Sequence, residues 1–144
     1  CGTVDFILGC AEAYFDRCRI VSLNDGRSAT YIAAPAHSLK QERGFCFYDC
    51  DLKGGGAAEG SVYLARPWRD FGKSVFVNCR ASGHIAPALF DRWNDTYRYK
   101  TARFGYFNLS GAQISPVDWC RQLTEAEAAE YAALCRRAAE KFGL

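Results

Sequence analysis

Two short segments of this sequence carry residue types that could do chemistry together. Gly2-Thr3-Val4-Asp5-Phe6-Ile7-Leu8-Gly9 sets one carboxylate among apolar residues. Strand alternation over this run puts Val4, Phe6 and Leu8 on one face and turns Asp5 to the other. Tyr63-Leu64-Ala65-Arg66-Pro67-Trp68 places Arg66 and Trp68 on a common face. Pro67 should end that strand, because it cannot donate to a sheet ladder. An acid and a guanidinium from separate strands, with an indole beside them, would suit a cleft for a sugar. The same residues would also make an ordinary ion pair beside a half-buried Trp, and composition alone favours that plainer reading.

Other reactive residue types offer less. The eight cysteines are Cys1, Cys10, Cys18, Cys46, Cys50, Cys79, Cys120 and Cys135, with no C-x-x-C pair among them. His37 and His84 stand far from any paired cysteines, so a structural zinc site is not expected. Cys46 and Cys50 could line a metal or redox site, but no neighbouring pattern supports one. Most cysteines sit in apolar, strand-like runs, which predicts free, buried thiols acting as small hydrophobes. His37 lies in a loop-like Ala-Pro-Ala-His-Ser stretch and is expected in solvent, and His84 reads as a turn residue. Asp91 and Asp95 flank Trp93 within reach of a ligand, but read most simply as solvated loop charges.

These side chains need a scaffold. The chain has 144 residues, 49% hydrophobic and 24% charged, which suits one domain with a substantial core rather than a disordered segment. Its 18 basic and 16 acidic residues give a net charge of +2, no electrostatic footprint for nucleic acid or an anionic membrane. No apolar run approaches the roughly 20 residues that span a bilayer. With no Met anywhere, the sequence is expected to be a processed chain or a fragment.

A weak repeat runs through the first two thirds. Phe15-Asp16-Arg17-Cys18-Arg19-Ile20, Phe47-Tyr48-Asp49-Cys50-Asp51-Leu52 and Phe76-Val77-Asn78-Cys79-Arg80-Ala81 share an aromatic, two residues, Cys, a polar and an apolar residue, spaced 32 and then 29 apart. Such periods indicate stacked supersecondary units. Further β-rich runs span residues 3–8, 30–33, 61–64, 74–77 and 103–109, separated by turn chemistry such as Asn24-Asp25-Gly26 and Lys53-Gly54-Gly55-Gly56. These features leave two architectures open, an antiparallel sandwich or barrel and a parallel β-helix with one coil per repeat. Helical periodicity enters only at the end. Thr124-Glu125-Ala126-Glu127 reads as a capping box, followed by an amphipathic helix of about 15 residues with Tyr131, Leu134 and Ala138 on one face. We expect 1–122 to form the β body and 123–144 to pack on it as a helix.

The two opening segments resemble signature segments of the pectin methylesterases, carbohydrate esterases of the aspartyl type. The resemblance continues through Lys73-Ser74-Val75-Phe76-Val77-Asn78-Cys79 and His84-Ile85-Ala86-Pro87 to Gln122-Leu123-Thr124, which looks most like the bacterial branch. It implies an all-β fold, a right-handed single-stranded parallel β-helix, here its C-terminal coils with one C-terminal helix. It also implies an activity, removal of methyl esters from pectin to release methanol. Asp5 matches the nucleophile that attacks the ester carbonyl, and Arg66 the residue that orients it and favours its ionised form. Trp68 and Trp93 match aromatics of the substrate cleft, and Phe90 sits where the family commonly has another Trp.

Departures accompany the matches. Cys10 stands for the family's Asn, Leu8 for its second Phe, and Ala65 for a Gly, adding a methyl beside the reactive strand. A Gln and a second Asp, the oxyanion donor and the general acid/base, belong to a segment upstream of the nucleophile motif. The chain is therefore expected to be the C-terminal half of an esterase and inactive alone, with Gln41 and Asp49 no substitutes. The resemblance implies no cofactor or metal, methyl-esterified pectin or oligogalacturonides as substrate, no nucleic-acid or membrane partner, and a monomer when complete. It points to a secreted or extracellular protein, whereas apparently unpaired cysteines fit the cytoplasm. A pectin-binding β-helix without catalysis, or an inactive relic, is the alternative.

Overall fold

The computed structural model describes residues 1–94 and 97–143, so Asp95 lies outside the described residues. Its strands in chain order are β1 Ile7–Gly9, β2 Ala13–Asp16, β3 Arg19–Leu23, β4 Thr30–Pro35, β5 Phe45–Tyr48, β6 Asp51–Gly55, β7 Val62–Ala65, β8 Lys73–Val77, β9 Arg103–Phe107 and β10 Arg121–Gln122, followed by helix α1 Glu125–Phe142. They form three sheets, ordered β1-β4-β7, β2-β5-β8-β9-β10 and β3-β6. The ladders between these strands are all parallel. From β1 to β8 consecutive strands fall in different sheets, so the chain winds as a parallel β-helix, the second of the two architectures left open. Single residues extend the pattern: Arg80 and Ser110 bridge onward from Asp51, and Phe90 bridges Ala65.

The repeat has a physical cause in this winding. Phe15, Phe47, Phe76 and Tyr106 share a register position on successive coils. The Phe15 and Phe47 rings stack at 4.6 Å and those of Phe47 and Phe76 at 4.3 Å, giving the core an aromatic column. Two residues later each coil turns a corner through a left-handed residue: Arg17 (φ 51°), Asp49 (φ 49°), Asn78 (φ 54°) and Asn108 (φ 49°). Asn and Asp visit this region at lower cost than other side chains, which suits three of the four corners. The next residue tucks under the coil before it. The Cys50 thiol donates to the Phe15 carbonyl at 3.1 Å and the Cys79 thiol to the Phe47 carbonyl at 3.5 Å. Leu109 takes that place on the next coil, so the repeat runs one unit further than the cysteines mark.

All eight cysteines are free thiols, but only Cys46, Cys50, Cys79 and Cys135 are buried; Cys1 and Cys10 are exposed, contrary to the general expectation of burial. Cys46 and Cys50 belong to different clusters, Cys50 inside the coil and Cys46 beneath α1, so the two do not line a common site. The helix begins with the capping box, in which the Thr124 hydroxyl accepts from the Glu127 N–H and the Glu127 carboxylate accepts from the Thr124 N–H. Its buried residues are Ala128, Ala132 and Cys135, of which Ala128 and Cys135 sit on Cys46, Val75, Val77 and Leu123. Small side chains let the helix approach the sheet closely, so Tyr131, Leu134 and Ala138 flank that contact rather than centre it. Among the described residues no helix is long and apolar enough to cross a membrane.

His37 is not solvated. It is 2% exposed, with Nε2 donating to the Ala11 carbonyl at 3.0 Å and Nδ1 accepting from the Lys73 N–H at 3.1 Å. These partners require the neutral ring, and burial lowers its pKa accordingly. His84 is also buried, bonded through Nδ1 to the Ser82 hydroxyl at 2.8 Å, and burial lowers its pKa too. Its ring fills the space over Gly54, where a Cβ would come within 3.0 Å of it.

Candidate active site

Asp5 lies at a corner, not in a strand. Gly2 bridges Ser22 on the third sheet, whereas β1 belongs to the first, and residues 3–5 bend to pass between them. Asp5 takes φ 48°, and its N–H donates to the Tyr31 carbonyl at 2.8 Å. The expected alternation therefore fails. Ile7 packs with Phe6 against the core, while Leu8 is 57% exposed.

Arg66 follows β7 directly, and Pro67 ends that strand where the sequence predicts. Asp5 and Arg66 stand on the first and third coils, two strand spacings apart, roughly 10 Å at the backbone. Only a long side chain closes that gap. The Arg66 guanidinium crosses the middle coil and pairs with both Asp5 oxygens, Nε donating to Oδ1 at 3.0 Å and Nη2 to Oδ2. Both side chains are mostly buried, 14% and 17% exposed, so the pair is shielded yet reachable from solvent.

Aromatic rings surround this pair. The guanidinium carbon lies 4.4 Å from the Tyr31 ring centroid, 4.7 Å from that of Trp93 and 5.7 Å from that of Trp68. Trp68 and Trp93 stack on each other at 5.1 Å. Arg98 donates to the Trp68 carbonyl at 2.7 Å and lies over the Trp93 ring, while Arg69 lies over Trp68. Asp91 is more than a solvated loop charge: it accepts from the Tyr31 hydroxyl at 2.7 Å and from the Trp93 N–H at 3.2 Å. Burial first, and then Asp91, push the Tyr31 phenol pKa up, so it remains a proton donor at ordinary pH.

The fold thus brings Asp5, Arg66, Trp68 and Trp93 together from three separate stretches of chain. Phe90 does not join them. It is 1% exposed and packs in the core against Phe76, Phe104 and Trp119, so its ring has no face to offer a ligand. The bridge to Ala65 turns it inward. Ala65 itself is fully buried in the core, so its methyl does not enter the cleft. Gln41 and Asp49 have other partners, the Cys10 carbonyl and Arg80. Tyr31, and its link to Asp91 60 residues away, escaped the sequence reading because neither residue stands in a local pattern that points at the other.

A carboxylate held bidentately by a guanidinium among aromatic rings has the chemistry of a nucleophile. The pectinesterase family matches residues 1–135 of the chain. Pectinesterase QRT1 of Arabidopsis thaliana is 32% identical over 132 residues, which cover 88% of this chain and 33% of that protein. Pectin methylesterase PemA from Erwinia chrysanthemi is 27% identical and superposes with a TM-score of 0.76, over 90% of this chain and 46% of that one. A pectin methylesterase in complex with a hexasaccharide superposes with a TM-score of 0.74 at 27% identity, over 90% of this chain and 46% of that one. Plant and bacterial proteins both figure here, so the bacterial leaning of residues 122–124 does not separate the branches. The chain spans about a third of the length of such curated relatives. With its parallel coils, paired Asp5 and Arg66 and family match over nearly its whole length, the chain belongs to the pectinesterase family.

Proposed function

We propose that the protein carrying this chain removes methyl esters from pectin, with Asp5 as nucleophile. An Asp5 oxygen attacks the methyl-ester carbonyl of a galacturonate unit, and the tetrahedral intermediate collapses by breaking the bond to the methoxy oxygen. Methoxide takes up a proton and leaves as methanol, and water then hydrolyses the acyl-enzyme to restore Asp5. The resemblance assigns the proton donor to a segment upstream of the nucleophile motif, so these residues alone are not expected to turn over. Arg66 holds both carboxylate oxygens, which fixes the attacking lone pair, and the Trp68–Trp93 stack offers a flat apolar face to a sugar ring. The observation that supports this reading most is the bidentate Asp5–Arg66 pair beneath three aromatic rings.

The substrate would be methyl-esterified homogalacturonan or its oligomers, met outside the cell by a monomer, with no metal in any step. The test is methanol release from methylated pectin by the full-length protein and its Asp5→Asn variant. A loss on the order of 10³-fold or more is expected for a nucleophile. Near-native turnover by Asp5→Asn sinks the assignment. Pectin binding without methanol release by the unmodified protein would favour the binding-module reading, which the half-buried Trp stack also suits.

A further inference from the structure

We infer that Tyr31 and Asp91 are positioning residues, a brace that aligns the Asp5–Arg66 pair and the Trp93 ring as one unit. The inference rests on the reading of that pair as the reactive centre.

Tyr31 touches both members of the pair in different ways. It stands on β4 of the middle coil, so its carbonyl receives the Asp5 N–H at 2.8 Å while its ring lies 4.4 Å from the Arg66 guanidinium carbon. The main chain thus anchors the carboxylate's residue and the ring supports the guanidinium. The ring also stacks on Tyr63 of the next coil at 5.6 Å, which limits its tilt in one direction.

Asp91 fixes the ring's remaining freedom. The Tyr31 hydroxyl donates to Asp91 Oδ2 at 2.7 Å, and Asp91 Oδ1 accepts from the Trp93 N–H at 3.2 Å. Trp93 has φ 59°, a costly conformation for a bulky residue, and this bond to its N–H helps to hold it. The Trp93 ring then returns to Arg66 at 4.7 Å. The contacts close a circuit through Arg66, Tyr31, Asp91 and Trp93. Asp91 thus ties the phenol with one oxygen and the Trp93 amide with the other.

The test compares Tyr31→Phe, Asp91→Ala, Asp91→Asn and the Tyr31→Phe/Asp91→Ala double variant in the full-length protein. Two readouts are taken: kcat and KM for methanol release, and the exciton couplet of the Trp68–Trp93 stack in circular dichroism without substrate. Tyr31→Phe should lower kcat about tenfold with KM nearly unchanged, because the ring remains but its anchor is lost. Asp91→Ala should lower kcat similarly, raise KM and weaken the couplet. The double variant should be no worse than Asp91→Ala alone, since both cuts open one circuit. Asp91→Asn, which keeps two bonding groups at the position, should recover most of kcat. Native kcat in Tyr31→Phe, or losses that multiply in the double variant, would overturn the brace. If the unmodified protein releases no methanol, the proposed activity fails separately. The couplet then decides the brace: weakened in Tyr31→Phe it stands, unchanged it falls.

Discussion

Arg66 grips Asp5 from two coils away, its guanidinium spanning the middle coil to bond both carboxylate oxygens. That reach needs a long side chain, and the two parallel bonds need a planar fork. Arg66→Lys keeps the charge but loses the fork and most of the ring contacts. We expect kcat to fall about 10²-fold, equivalent to the loss of one charged hydrogen bond of about 2–3 kcal/mol. Methanol release by the full-length variant, with a thermal melt to confirm folding, checks this.

Aromatic residues near the site divide by function. Phe90→Ala empties a core position and should cost about 3–5 kcal/mol of stability. Trp93→Ala should leave the melting temperature nearly unchanged but weaken binding of oligogalacturonides. Calorimetric binding and melting of both variants separate the two. Equal loss of stability would place Trp93 in the core.

Acid should destabilise the fold through its histidines. Burial lowers the pKa of His37 and His84 in the folded chain, whereas the unfolded chain titrates near 6.5. Above that pH both states hold neutral rings and the stability is complete. As pH falls below about 6.5 the unfolded chain binds protons first, so stability declines until the folded pKa values are passed. His37→Gln, which can donate to Ala11 and accept from Lys73, should flatten part of that decline. Melting temperatures from pH 7.5 to 5 in both proteins give the comparison, and parallel curves would refute it.

Thiol labelling should follow exposure. Cys1 and Cys10 are open to a small alkylating reagent, while Cys46, Cys50, Cys79 and Cys135 should react only on unfolding. Burial pushes the Cys120 thiol pKa up to about 11, so this half-buried residue should lag the exposed pair at neutral pH. Peptide mass mapping after timed labelling reads the order directly.

The sequence made some of this visible and hid the rest for definable reasons. The repeat on Phe15, Phe47 and Phe76 was legible because an aromatic column and a tucked cysteine demand similar residues on each coil. Its next unit was hidden because Leu109 fills the space that Cys takes elsewhere. Asp5 looked like a strand residue because alternating apolar neighbours carry no sign of a corner with φ 48°. Phe90 was placed in the cleft by position in a resemblance, whereas burial depends on which way the bridge to Ala65 turns it. The link from Tyr31 to Asp91 spans 60 residues and exists only after the coils stack.

The left-handed corners at Arg17, Asp49, Asn78 and Asn108 have one further consequence. Each adds the same short step, so every coil leaves that edge in the same register whatever its total length. Variation is confined to the opposite connections, and the one from Phe90 to β9 carries Trp93 toward the paired charges. Such a layout is modular: cleft-forming segments can be exchanged or lengthened there without shifting the column of rings inside.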